Sequence, residues 1–168
     1  MRTNQQQAKK YTLITDVIKL PEEEVYKTEL IGAVVERYSL IGTTGVNKLD
    51  KYLRQYRIIS RNQFIYGEHD QIKCNIDTVF SLGDKLIINI FTSSETPMKE
   101  KDLQKYVLLL AAQGEMLKNM GSVVDSALVT VLVDEPEHIQ TRHITKQELN
   151  DSYSDFKLKL NEYRQTIT

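Results

Sequence analysis

The residues best suited to chemistry are few, and their densest group is basic. Lys48, Lys51, Arg54, Arg57 and Arg61 are opposed only by Asp50 and are interleaved with Tyr52 and Tyr56. Cations that neutralise phosphates, beside rings on which bases stack, make a candidate nucleic-acid backbone site. The same run also reads as one solvated helix face, and the sequence leaves the two open. Asp77 stands in an apolar stretch, Ile76-Asp77-Thr78-Val79-Phe80. A carboxylate there is either a ligand-holding group or a buried cap on a turn. The other reactive types point away from catalysis. His69, His138 and His143 lack zinc-type spacing. Cys74 alternates to the strand face opposite Asp77, as a core thiol does. Ser93-Ser94 has no histidine base close in sequence, and Gly42-Thr43-Thr44-Gly45 lacks the lysine of a phosphate-binding loop.

Composition frames these groups. The chain has 168 residues, 40% hydrophobic and 27% charged, which suits one soluble globular domain with room for a core. The net charge of −1 exerts no global pull on nucleic acid, so such binding must come from a local patch. One cysteine allows no internal disulfide and no zinc knuckle. The longest apolar run, Val107 to Ala112, falls far short of the roughly 20 residues of a membrane span. The polar start MRTNQQQAKK has no signal-peptide core. The expectation is a cytoplasmic protein with no membrane partner, in a cell or in a host infected by a mobile element.

The elements that must position these residues follow from periodicity. Residues 1–20 read as a polar N-terminal arm, and 21–168 as a single domain that includes a C-terminal helix. From Pro21 the pattern is helical: Glu22, Glu23 and Glu24 suit the positive end of the helix dipole, and Val25, Leu30, Ile31, Val34, Val35 and Tyr38 share a face. Val46 to Gln55 is a second short helix or turn. The period then falls to two. Tyr56–Tyr66, Gln71–Leu82 and Lys85–Thr92 read as strands, with Gly83-Asp84 a tight hairpin turn. A long helix spans about Lys99 to Met120, stopped by Gly121. Ala127–Val133 is a buried strand, parallel to a neighbour because a helix precedes it. His138–Ile144 is a further strand, and Thr145 with Glu148 caps a final helix to about Gln165. The class is α/β, a central mixed β-sheet flanked by helices.

The stretch Asn75-Ile76-Asp77-Thr78-Val79-Phe80, followed by Lys85-Leu86-Ile87-Ile88-Asn89-Ile90-Phe91-Thr92-Ser93, resembles the PD-(D/E)XK nuclease-like superfamily, in particular its RecB-type exonuclease branch. There an aspartate closes one strand phrase, and the next strand carries an acid, any residue, then lysine. The following helix commonly holds a glutamine and a tyrosine; Gln104-Lys105-Tyr106 is similar though more tightly spaced. The resemblance runs from Pro21 to Val133 and implies a restriction-endonuclease-like core of helix, three strands, helix and strand. It also implies two carboxylates holding Mg or Mn, with a lysine that positions the attacking water. Asp77 matches the first acid, Asn89 stands at the second, and Phe91 at the lysine. Alternation puts Ile87, Asn89 and Phe91 on one face, and the expectation is that Asp77 converges with them. An amide for a carboxylate removes a charge worth about 4 kcal/mol at ~4 Å and an effective dielectric of ~20.

The resemblance thus implies a catalytically degenerate nuclease-like domain that binds DNA, RNA or a nucleic-acid-processing protein, with no cofactor. An active nuclease is the alternative: Asp77 with Glu36 or Glu29 as the displaced metal ligand, Lys105 or Lys101 as the displaced lysine, and Mg or Mn bound. A third reading is a structural protein, homo-oligomeric or otherwise, whose former active face is filled with side chains.

Overall fold

Strands and helices follow the change of hydrophobic period closely. A computed structural model describes residues 11–25 and 54–167. In chain order these form β1 (Thr12–Leu13), α1 (Ile14–Val17), β2 (Arg57–Gly67), β3 (Ile72–Leu82), β4 (Lys85–Ser94), α2 (Glu100–Asn119), β5 (Ser126–Val133), β6 (His138–Thr145) and α3 (Lys146–Thr166). Residues 22–25 are also helical, and Glu24 and Val25 donate to the Pro21 carbonyl at 2.9 and 3.1 Å.

β2, β3 and β4 form an antiparallel meander; α2 then crosses over so that β5 lies parallel to β4, and β6 returns antiparallel to β5. The result is a mixed sheet flanked by helices, with three strands, a helix and a further strand in succession. Gly83 takes φ 64° in the two-residue turn between Leu82 and Lys85, a conformation glycine adopts without strain. The Thr145 hydroxyl accepts from the Glu148 N–H at 3.1 Å and starts α3. No described helix is long and apolar enough to cross a membrane.

The strands carry two separate apolar clusters. Ile88 and Ile90 of β4 pack with α2, α3 and β5 residues such as Leu110, Phe156 and Val129. Ile87 and Phe91, one residue out of phase, pack with Phe80 and Leu128 on the other side. β4 therefore alternates as its sequence pattern requires.

The expected polar arm over residues 1–20 is corrected at its far end. Thr12 and Leu13 pair parallel with Ile72 and Lys73, while Ile14, Val17 and Ile18 are buried in the larger cluster. Those three apolar residues share one helical face, and that face is large enough to anchor the segment. At the opposite end of the chain, α3 grips the β2–β3 turn. The Tyr153 hydroxyl and the Lys157 ammonium (2.7 Å) reach the Asp70 carboxylate, and Arg164 donates to the Asp70 and Gln71 carbonyls at 2.6 and 3.1 Å.

Candidate functional site

The sheet opens beside Asp77. β3 and β4 pair from Leu82/Lys85 as far as Thr78/Asn89, whereas β4 continues along β5 to Ser94/Val133. Among the described residues, β3 meets a strand again on that edge only at Ile72 and Lys73, which pair with β1. Backbone groups along the opening must find partners outside a ladder. Side chains supply them. The Phe91 N–H donates to Asp77 Oδ2 at 3.1 Å, and Gln113 Nε2 of α2 donates to the Asn75 carbonyl at 3.1 Å.

Side-chain alternation breaks at the same place. Ile72, Cys74 and Ile76 belong to the larger cluster, and the next β3 member is Val79, three residues on. Across from Asp77 by register, Asn62 of β2 adopts φ 48°, a left-handed conformation that asparagine tolerates better than most residues. A cavity of about 540 Å³ lies at the opening. Asn62, Phe64, Asn75, Asp77, Ile90 and Gln113 line it, with Leu13, Leu20 and Leu109 as its apolar wall.

Asp77 is 7% exposed and fully engaged. Its Oδ1 accepts from the Thr78 hydroxyl at 2.7 Å and from Arg61 NH2 at 3.2 Å, while Oδ2 holds the Phe91 N–H. Burial pushes this carboxyl up to about 6, against the opposing pull of the Thr78 hydroxyl, the Arg61 guanidinium and the Phe91 N–H. At neutral pH it is an ionised, neutralised half of a buried pair.

The expected convergence of Asp77, Asn89 and Phe91 does not occur. Asn89 is in register with Thr78, accepts from the Thr130 hydroxyl at 2.6 Å, and keeps a buried Nδ2 without a hydrogen-bond partner among the described residues. Phe91 is 0% exposed and meets Phe80 edge to face at 6.1 Å. Neither side chain lines the cavity, and Ile90 does. The break in β3 shifts its phase against β4 by one residue, so Asp77 meets only the backbone of Phe91.

The basic group is also divided. Arg61 is buried against Asp77, its guanidinium 5.9 Å from the Phe91 ring centroid, and so is not a surface cation. Arg54 and Arg57 are exposed. Lys48, Lys51, Glu29 and Glu36 lie outside the described residues. Lys105 lines a second cleft of about 420 Å³ with Glu24, Ser93, Ser94, Asp102 and Tyr106, away from Asp77. Lys101 is exposed on the first turn of α2.

Gln113 escapes the sequence reading, and Tyr106 enters it only through the resemblance. Tyr106 donates to Glu24 Oε2 at 2.6 Å and lies 3.4 Å from the Thr92 hydroxyl; burial and Glu24 hold its hydroxyl above the usual tyrosine range. Gln113 is buried on α2 two turns from Tyr106, and that seven-residue spacing was the signal for a polar group on the inner face. Cys74 is the core thiol expected, 3.6 Å from Met116 Sδ and pushed up to about 12 by burial. Among the described residues no three of His, Cys, Asp and Glu gather as a metal site.

No protein-family model matches the chain, and no curated protein matches it. Among solved structures, that of SSO0001 is similar at 15% identity over 89% of this chain and 75% of that one, with a TM-score of 0.41. An alkaline exonuclease, LHK-Exo from Laribacter hongkongensis, is similar at 10% identity over 98% of both chains, with a TM-score of 0.38.

Proposed function

We propose that this chain is a nuclease-like domain that binds nucleic acid without cutting it. The state of Asp77 carries this reading. A metal site needs carboxylate oxygens open toward one point, and both oxygens of Asp77 are taken by Thr78, Arg61 and Phe91. The side chain that β4 offers beside it is Ile90. A cation entering there meets a guanidinium whose side chain is only 8% exposed. That guanidinium offsets the pull of the one carboxylate present, a unit charge pair being worth about 4 kcal/mol at ~4 Å and an effective dielectric of ~20, so the pair offers a cation no net charge. The described residues around Asp77 do not fit Mg or Mn.

A second reading, cleavage by displaced groups, draws on the polar cleft where Glu24, Asp102 and Lys105 meet Ser93 and Ser94. A structural role draws on the filled cluster around Phe91, and the open cavity at Asp77 weighs against it. Anisotropy with labelled DNA and RNA at low salt, run beside plasmid and single-strand digestion with Mg or Mn, separates the three. Binding without cleavage is expected. Cleavage that Asp102→Ala abolishes establishes the second reading, and absence of any nucleic-acid binding removes the first.

A further inference from the structure

β2 and β3 present an exposed mixed surface that runs into the Asp77 cavity. Register sets Phe64 opposite Asn75 and Tyr66 opposite Lys73, and directly opposed residues share a face of the sheet. Two rings, an amide and an ammonium therefore stand together. Phe64 is 48% and Tyr66 52% exposed, although Ile65 and Gly67 between and beside them are buried. The two rings meet edge to face at 5.3 Å, and Tyr66 meets Tyr11 in the same manner at 5.1 Å. Phe64 is also part of the cavity wall. Single exposed apolar residues need no explanation, but a row of half-exposed rings leading into a cavity does.

We infer that this platform holds a single nucleic-acid strand, with one unpaired base on Phe64 at the cavity mouth and its neighbour on Tyr66. The inference rests on the nucleic-acid reading above and adds to it the strand state and the surface used. Duplex bases hide their faces in the stack, so rings carried on a strand can meet only bases that are unpaired. The rings lie 5.3 Å apart, more than the ~3.4 Å per nucleotide of a stacked strand, so the bases they hold are also unstacked from each other. Lys73 beside Tyr66 is placed for a backbone phosphate. Asn62 and Asn75 at the cavity offer donors and acceptors to a base edge. The cavity volume of about 540 Å³ leaves room for the base itself.

The protein contains no tryptophan, so Phe64→Trp puts its only indole on the platform. A short single-stranded oligonucleotide should quench that fluorescence in step with the rise in anisotropy. The double variant Phe64→Ala, Tyr66→Ala should weaken single-strand binding about ten- to hundredfold, whereas Phe64→Tyr keeps it. Both positions are half exposed, and thermal melts confirm that the variants stay folded. Three results overturn the inference while the nucleic-acid reading stands: a parent that binds duplex but not single strands, a double variant that binds like the parent, or an indole left unquenched by a bound strand. Absence of binding to any nucleic acid removes both.

Discussion

The two halves of the β3–β4 hairpin satisfy their backbones differently. Between Thr78/Asn89 and Leu82/Lys85 the ladder is complete, and the side chains are left to pack: Val79 and Ile88 toward α2, Phe80 and Ile87 on the other side. Beyond Asp77 the ladder stops. There the Asp77 carboxylate and the Gln113 amide take backbone partners, and a cavity remains. Buried polar side chains are costly unless paired, and Asp77 and Gln113 find backbone partners where the ladder stops, which marks where the sheet gave up regularity for access. The paired half is structure alone; the open half holds the groups that can meet a ligand.

The largest effect should come from installing the nuclease residues at Asn89 and Phe91. If those positions faced the cavity, Asn89→Asp with Phe91→Lys would create a metal site. The register instead points both into the filled side. The double variant should lose about 4 kcal/mol or more in urea denaturation, from the missing ring and the buried charges. Calorimetric titration should show no gain in Mn²⁺ affinity. Tighter Mn²⁺ binding than the parent would overturn the one-residue phase shift.

Next in size is Asp77→Ala, which breaks the buried ion pair with Arg61 and removes the acceptor of the Phe91 N–H. It should cost about 3–4 kcal/mol. Asp77 also sets a pH dependence. Burial raises its folded pKa to about 6, above the unfolded value of ~3.9, so the folded state binds the proton more tightly in that window. Its share of stability is therefore fully present below about pH 4 and falls as pH rises to about 6, by ~3 kcal/mol at most. Asp70 works in the opposite sense. Burial raises its pKa, but Lys157 and Tyr153 outweigh that and hold it low. The difference between parent and Asp77→Asn denaturation from pH 4 to 7 isolates the Asp77 share. A flat difference would mean that this carboxyl is not raised.

Much of the scaffold was legible in the sequence, and the phase of its open half was not. The hairpin at Gly83-Asp84, the alternation of β4, the crossover helix and the Thr145 cap all follow from local pattern, because each depends on neighbours a few residues away. The position of Asp77 against β4 depends on a left-handed Asn62 and an interrupted ladder, and neither leaves a local mark. Arg61 was equally opaque. Its place in a basic run suggested solvent, but strand pairing put it beside Thr78 and under the pull of Asp77. Ile14, Val17 and Ile18 did carry a signal, a short helical stripe, masked by the polar residues before it.

A smaller effect tests whether side chains really replace the ladder. Gln113→Leu keeps the volume and removes the donor to the Asn75 carbonyl. Stability should fall by about 2 kcal/mol, the cost of one buried acceptor left unmade. Phe80 in the paired half allows a control: Phe80→Leu perturbs packing without touching any backbone partner. Hydrogen exchange should then report faster opening of the Phe91 amide in Gln113→Leu than in Phe80→Leu, since Asp77 and Gln113 brace the same gap. Equal exchange at that amide would uncouple the two braces.

The smallest pair of changes divides the halves most cleanly, because Gly83 closes the paired half and Asn62 of β2 lies across from Asp77 in the open one, each in a left-handed conformation. Gly83, at φ 64°, has nothing within 4 Å of where a Cβ would sit, so Gly83→Ala costs only backbone strain. Asn62, at φ 48°, is exposed at the cavity, and Asn62→Ala meets the same strain. Each should lose about 1 kcal/mol, with Asn62→Gly close to neutral. Their effects on ligand binding should differ. Gly83→Ala lies at the far end of a complete ladder and should leave single-strand affinity unchanged. Asn62 turns the strand two residues before Phe64, so relief of its strain in the alanine variant re-aims that ring and lowers the affinity. Equal affinities in the two alanine variants would mean that the kink sets stability alone, and that the open half aims its platform by some other means.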